Sequence, residues 1–144
     1  MPAALQYPAS RYEPAPLVDL SSHTERERLS RSALRAFFNT IARWQVRDED
    51  ARRLLGVAAS TLYEYKRNPQ RVLDQDKLMR ISYLIGIYKN LQILHDGGLA
   101  DRWVGMPNQN RIFAGRTPLD YMIRGGLPAM QTVRRLLDAR RGGA

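Results

Sequence analysis

Cysteine is absent from this 144-residue chain, and histidine occurs only as His23 and His95. Without thiols there is no disulfide, no cysteine nucleophile and no Cys-ligated zinc or iron–sulfur centre. Two histidines in separate segments offer neither a metal site nor a catalytic base. No glycine-rich phosphate loop and no paired carboxylates stand out. An enzyme is therefore not expected, and neither is a metal or a cofactor. No apolar run approaches the ~20 residues of a membrane helix. The start lacks the charged-then-apolar pattern of a signal peptide, so the expected location is the cytoplasm. Strand-like alternation, repeats and low-complexity tracts are missing as well, which leaves an all-α chain.

Lysine is scarce too, with only Lys66, Lys77 and Lys89; arginine carries most of the net charge of +9. Residues 1–25 hold 1 basic and 3 acidic residues, net −2. Residues 26–80 hold 13 and 7, net +6, and residues 81–144 hold 9 and 4, net +5. An arginine excess of this size favours a polyanionic partner, because bound phosphates release their counterions.

Pro2, Pro8, Pro14 and Pro16 mark residues 1–21 as a flexible tail. A first helix is expected from about Glu25 to Trp44, with Thr24 and Glu27 as a capping box. Leu29, Ala33, Phe37, Ile41 and Trp44 form its apolar stripe. A second helix is expected from an Asp48 cap to Gly56, and a third from Ala59 to Arg67. A fourth runs from about Asp74 to His95, where Gly97-Gly98 ends it. Leu78, Ile81, Leu84, Ile85, Tyr88, Leu91 and Gln92 follow helical spacing along it. A short helical piece spans Leu99 to Val104. Thr117 caps a helix beginning at Pro118, Gly125-Gly126 breaks it, and a last helix runs from Pro128 to about Arg141. The segments group as a tail (1–21), a DNA-binding region (22–72), a connecting or dimerising helix (73–98) and a C-terminal unit (99–144).

The stretch Asp48–Tyr65, DEDARRLLGVAASTLYEY, has the spacing of a helix-turn-helix. Ala51, Leu55, Val57, Leu62 and Tyr65 supply the apolar anchors and Gly56 the turn. The second helix then exposes Ser60, Thr61, Tyr63, Glu64, Lys66 and Arg67. Apart from Glu64, these are mostly residue types that bond phosphates and base edges. Arg52 and Arg53 on the preceding helix point toward backbone contacts. Two positions depart from the usual motif: Arg52 replaces a small packed residue, and Ala58 replaces a polar cap.

Residues 103–126 read WVGMPNQNRIFAGRTPLDYMIRGG. Trp103, a Pro107-Asn108 turn, Phe113, Gly115, Pro118, Leu119 and Gly125 fall in a distinctive order. By these residues and the helix-turn-helix, residues 30–144 resemble the Xre/MbcA/ParS-type antitoxins of type II toxin–antitoxin modules. The resemblance implies a partner toxin of the RES type, with an ADP-ribosyltransferase-like fold, that degrades NAD or ADP-ribosylates a protein. It further implies that the antitoxin covers the toxin's NAD pocket, often with its C-terminal end, and that the complex represses its own operon. Operator DNA is then a second partner, and a homodimer within a hetero-oligomer suits paired half-sites. Arg111, Arg116, Met122, Arg124, Arg134, Arg140, Arg141, Gly142, Gly143 and Ala144 are the expected toxin contacts. Trp103, Pro107, Asn108, Phe113, Gly115, Pro118, Leu119 and Gly125 are expected to be structural. A stand-alone helix-turn-helix transcription regulator is the alternative reading.

Overall fold

A computed structural model describes residues 18–142, and among them the chain is all-helical. Six helices follow in order: α1 (His23–Arg43), α2 (Asp48–Leu55), α3 (Ala59–Arg67), α4 (Gln75–Leu94), α5 (Gly97–Arg102) and α6 (Pro118–Arg141). A 3₁₀ turn, Trp103–Gly105, extends α5. Gly143, Ala144 and almost all of the expected Pro-rich tail lie outside the described residues.

Helix α4 is the spine. Leu78, Ile81, Leu84, Ile87 and Leu91 are buried on it. It is apolar around much of its circumference because α1 packs on one side and α5 and α6 on others. A helix covered from several sides needs no polar face. One continuous core therefore runs from Leu34, Phe37 and Ile41 through Leu54, Leu55 and Leu62 to Trp103, Phe113, Met130, Val133 and Leu137. Trp44 and Tyr88 meet at 6.3 Å between ring centroids, joining the end of α1 to α4.

The helix ends show where local expectation was offset. Ser22, not Thr24, caps α1, its Oγ accepting from the Glu25 amide at 3.4 Å. Ser22-x-x-Glu25 repeats the spacing of Thr24-x-x-Glu27. The earlier pair is selected by a turn in which the Ser22 amide donates to the Asp19 carbonyl at 3.1 Å. Asp48 does not cap α2; Arg47 occupies that position with no side-chain cap bond. The Asp48 carboxylate instead pairs with the Lys66 ammonium at 2.7 Å. Asp74 does cap α4, accepting from the Lys77 amide at 2.9 Å. Gly97 and Gly98 open α5 rather than terminate α4, which ends at Leu94. Gln92, expected on the apolar stripe, is exposed and bonds Asp101 at 2.9 Å. At the break in α6 the left-handed residue is Gly126 (φ 65), not Gly125.

Arg80 ties the two halves together. Its Nη1 donates to the Leu54 carbonyl at 3.2 Å, satisfying one of the free acceptors at the end of α2. Its Nε donates to Asp76 at 2.9 Å, and its guanidinium lies against Gly56 and near Gly126.

Candidate functional site

Helices α2 and α3 meet at Gly56, whose left-handed conformation (φ 75) turns the chain sharply. Ala51, Leu54 and Leu55 on α2 and Leu62 and Tyr65 on α3 are buried, so the two helices are held by the core. Ser60, Tyr63, Lys66 and Arg67 of α3 face solvent, and Thr61 and Glu64 are half-buried. Tyr63 is 60% exposed, with the Arg67 guanidinium 5.8 Å from its ring centroid. Arg52 and Arg53 lie on α2 rather than on this surface.

The cations expected to meet phosphate are each engaged by an acid. Lys66 pairs with Asp48, and Arg67 with Glu64 at 3.6 Å. Arg52 and Arg53 share Glu49. The Arg52 hydrogen bonds hold the Glu49 carboxyl below the usual carboxylate range, so it stays ionised. Exposed pairs of this kind contribute little to stability, so a phosphate can replace the carboxylate at small cost.

The C-terminal unit is built on three rings. Phe113 packs edge-on against Trp103 at 5.9 Å and against Tyr121 at 5.3 Å. Trp103, Phe113 and Pro118 are buried, and Leu119 is partly buried against the same core. Asn108 pins the connecting loop: its amide donates to the Arg116 carbonyl at 3.1 Å, and its Oδ1 accepts from the Asn110 amide at 2.9 Å. Pro107, just before it, is exposed. The chain then reverses through Ala114 (φ 50) and Gly115 (φ 81). Thr117 Oγ1 accepts from the Asp120 amide at 3.0 Å and starts α6.

Among the residues expected to touch a toxin, Met122 is a correction. It is fully buried, because the face of α6 that carries it packs into the core. Arg111, Arg116 and Arg124 are exposed, the latter two directed toward Asp120. Helix α6 continues through Arg140 and Arg141, so neither belongs to a loose tail.

Two positions on α4 hold α6 in place. Asn90 is 1% exposed on α4; its Nδ2 donates to Asp138 at 2.7 Å and its Oδ1 accepts from Arg141 at 2.8 Å. Asp138 also accepts from Arg134 at 3.1 Å. Arg134 itself lies across Gly86, where an added Cβ would fall 1.6 Å from its Nη1. A polar residue and a glycine inside an apolar helix were the available signals. Asn90→Ala should cost about 1–3 kcal/mol, because Asp138 and Arg141 lose a buried partner. A chemical denaturation midpoint equal to wild type would show that this latch does not hold α6.

A helix-turn-helix joined through one spine helix to a second, arginine-rich helical unit defines a DNA-binding regulator with a built-in protein-interaction domain. Residues 23–86 match the antitoxin Xre-like helix-turn-helix domain, and residues 91–143 match the antitoxin Xre/MbcA/ParS C-terminal toxin-binding domain. The chain is 37% identical over 112 residues to the uncharacterized protein y4oB of Sinorhizobium fredii (strain NBRC 101917 / NGR234), covering 76% of this chain and 84% of that protein. No solved structure matches it. The chain belongs to the Xre/MbcA/ParS antitoxin family. It is an antitoxin with a DNA-binding helix-turn-helix and a toxin-binding domain, which points to a regulatory rather than a catalytic protein. The boundary between the two matched regions falls inside α4. Among the described residues no helix is long and apolar enough to cross a membrane.

Proposed function

We propose that this antitoxin neutralises a RES-type toxin of ADP-ribosyltransferase-like fold by covering its NAD pocket, and that it represses its own operon. The observation that carries the first part is the latched end of α6. Asn90 and Asp138 hold Arg134 and Arg141 against α4, while Arg135 and Arg140 stay exposed beside the last residues. A rigid helix end bearing free guanidinium groups suits a pocket made for the pyrophosphate of NAD. Arg111, Arg116 and Arg124 form the flanking contact. Residues 22–72 then bind the operator, α4 links or dimerises the assembly, and residues 99–144 meet the toxin.

The test is NAD consumption by the purified toxin with increasing amounts of this chain. Full-length protein should abolish it at stoichiometric ratio. Deleting residues 142–144, which spares the Arg141–Asn90 bond, should weaken inhibition about tenfold or more, equivalent to about 1.4 kcal/mol of contact, without changing the melting curve. Tight binding that leaves NAD turnover untouched would refute pocket blocking.

For the operator, Lys66→Ala with Arg67→Ala should weaken DNA binding and lower the salt slope by about two units, close to 0.9 per lost phosphate contact. Toxin binding should not change. Operator affinity equal to wild type would remove α3 as the reading helix. Operator binding that needs no toxin, together with failure to inhibit it, would favour the stand-alone regulator.

A further inference from the structure

The two flanks of α3 differ in how their cations are engaged. On one side lies the first turn of α2, with Asp48, Glu49 and Asp50. Asp48, Glu49, Tyr63 and Lys66 border one depression there. In a helix-turn-helix the helix before the reading helix crosses the phosphate backbone, and helix N-termini bond phosphates. There the cations are already engaged: Arg47 by Asp50, Arg52 and Arg53 by Glu49, and Lys66 by Asp48, so a phosphate must displace an ion pair.

On the other side lie cations that no acid among the described residues engages. Arg71, in the loop after α3, borders a depression with Ser60, Thr61 and Glu64 of the reading helix. Arg31 of α1 borders another with Gln70 of the same loop. Arg35 sits one turn further along α1 on the same stripe. One turn beyond it Phe38 lies under the Lys66 ammonium, 5.9 Å from the ring centroid. The stripe Arg31–Arg35–Phe38 therefore runs beside the last turn of α3 and the loop that follows it. The Ser30 hydroxyl fixes this register by accepting from the Leu73 amide at 2.9 Å. Arg31, Arg35 and Arg71 are exposed, and among the described residues no carboxylate lies within 4.0 Å of any of them. Of the nearby acids, Glu64 pairs with Arg67 and Glu25 with Arg28, while Glu27, which also borders the Arg31 depression, lies beyond 4.0 Å from Arg31.

We propose that Arg31, Arg35 and Arg71 form the phosphate-contacting ledge of this protein, so that the DNA backbone is gripped by α1 and the loop after α3 rather than by α2. The proposal rests on the reading of α3 as the operator-binding helix. Guanidinium groups with no partner to give up bind phosphate without first breaking an ion pair, unlike Arg52, Arg53, Lys66 and Arg67. Backbone contacts carry no sequence information, so the ledge sets affinity and register while α3 sets specificity.

The experiment is a salt titration of binding to two duplexes, one from upstream of its own reading frame and one unrelated. It is run with the chain alone and with the chain bound to its toxin. The variant Arg31→Gln/Arg35→Gln/Arg71→Gln should lower the slope of log K against log salt by about 2–3 units. It should weaken both duplexes by the same factor, leaving their ratio unchanged. The control Arg43→Gln/Lys89→Gln/Arg102→Gln removes equal charge from the end of α1, α4 and α5 and should keep the wild-type slope. A wild-type slope in the ledge variant, or an equal drop in the control, overturns the proposal alone. Wild-type protein that binds neither duplex in either state removes the operator reading, and the ledge with it. All three ledge positions are exposed, so matching melting curves should confirm that each variant is folded.

Discussion

Phe113→Ala should lower the stability of this antitoxin by about 3–5 kcal/mol. The ring is 1% exposed and meets both Trp103 and Tyr121 edge-on. Truncation opens a cavity, and each lost aromatic pair adds about 0.5–1.5 kcal/mol beyond simple burial. The melting temperature should fall by about 10 °C or more for a chain of this size. Toxin binding by the fraction that remains folded should be weakened little, because the ring lies inside the frame and does not reach its surface. A melting curve within a degree or two of wild type, combined with lost toxin binding, would move Phe113 from the frame to the contact surface.

Gly126→Val should cost about 3 kcal/mol, from backbone conformation rather than space. Gly126 has φ 65 and ψ −147, a region that is nearly glycine's alone. An added Cβ would lie 3.8 Å from its nearest neighbour, Arg80 Nη2. The turn it makes redirects α6 so that Met130, Val133 and Leu137 reach the core. A β-branched side chain there pulls against that direction. Gly115→Val is the comparison, since Gly115 also has a positive φ (81) and open space around it. It should cost about 1–3 kcal/mol, less than Gly126→Val because its loop is exposed and can relax. Wild-type stability in Gly126→Val would show that α6 is not held bent in solution.

Much of the helical plan was legible because periodicity and punctuation act locally. The Gly56 turn, the Asp74 cap, the Thr117-Pro118 start and the anchors Ala51, Leu55, Leu62 and Tyr65 follow from neighbours within a few residues. The errors came where two local solutions compete. Ser22 and Thr24 offer the same capping spacing, and only the Asp19 turn chooses between them. Asp48 could cap α2 or reach Lys66, and that choice depends on where α3 lies. Spacing alone leaves Met122 on a short apolar face with no known neighbour, which suggests a contact. The structure turns that face inward.

By itself the sequence determined the class: all-helical, with a helix-turn-helix followed by the Trp103-to-Gly126 pattern, free of cysteine and rich in arginine. Those features rest on composition and short-range spacing, which survive without coordinates. The pairs Arg52–Glu49, Arg53–Glu49 and Arg67–Glu64 follow helical spacing, whereas the tertiary structure alone decided that Lys66 meets Asp48. Arg52, Arg53, Lys66 and Arg67 look like phosphate ligands in the sequence and are paired with acids in the fold. Asn90, unremarked in the sequence, proves to hold Asp138 and Arg141 across 48 and 51 positions. Partners so distant along the chain are brought together only by packing α6 on α4. Long-range packing therefore decides the Lys66–Asp48 pair and the latch on the end of α6.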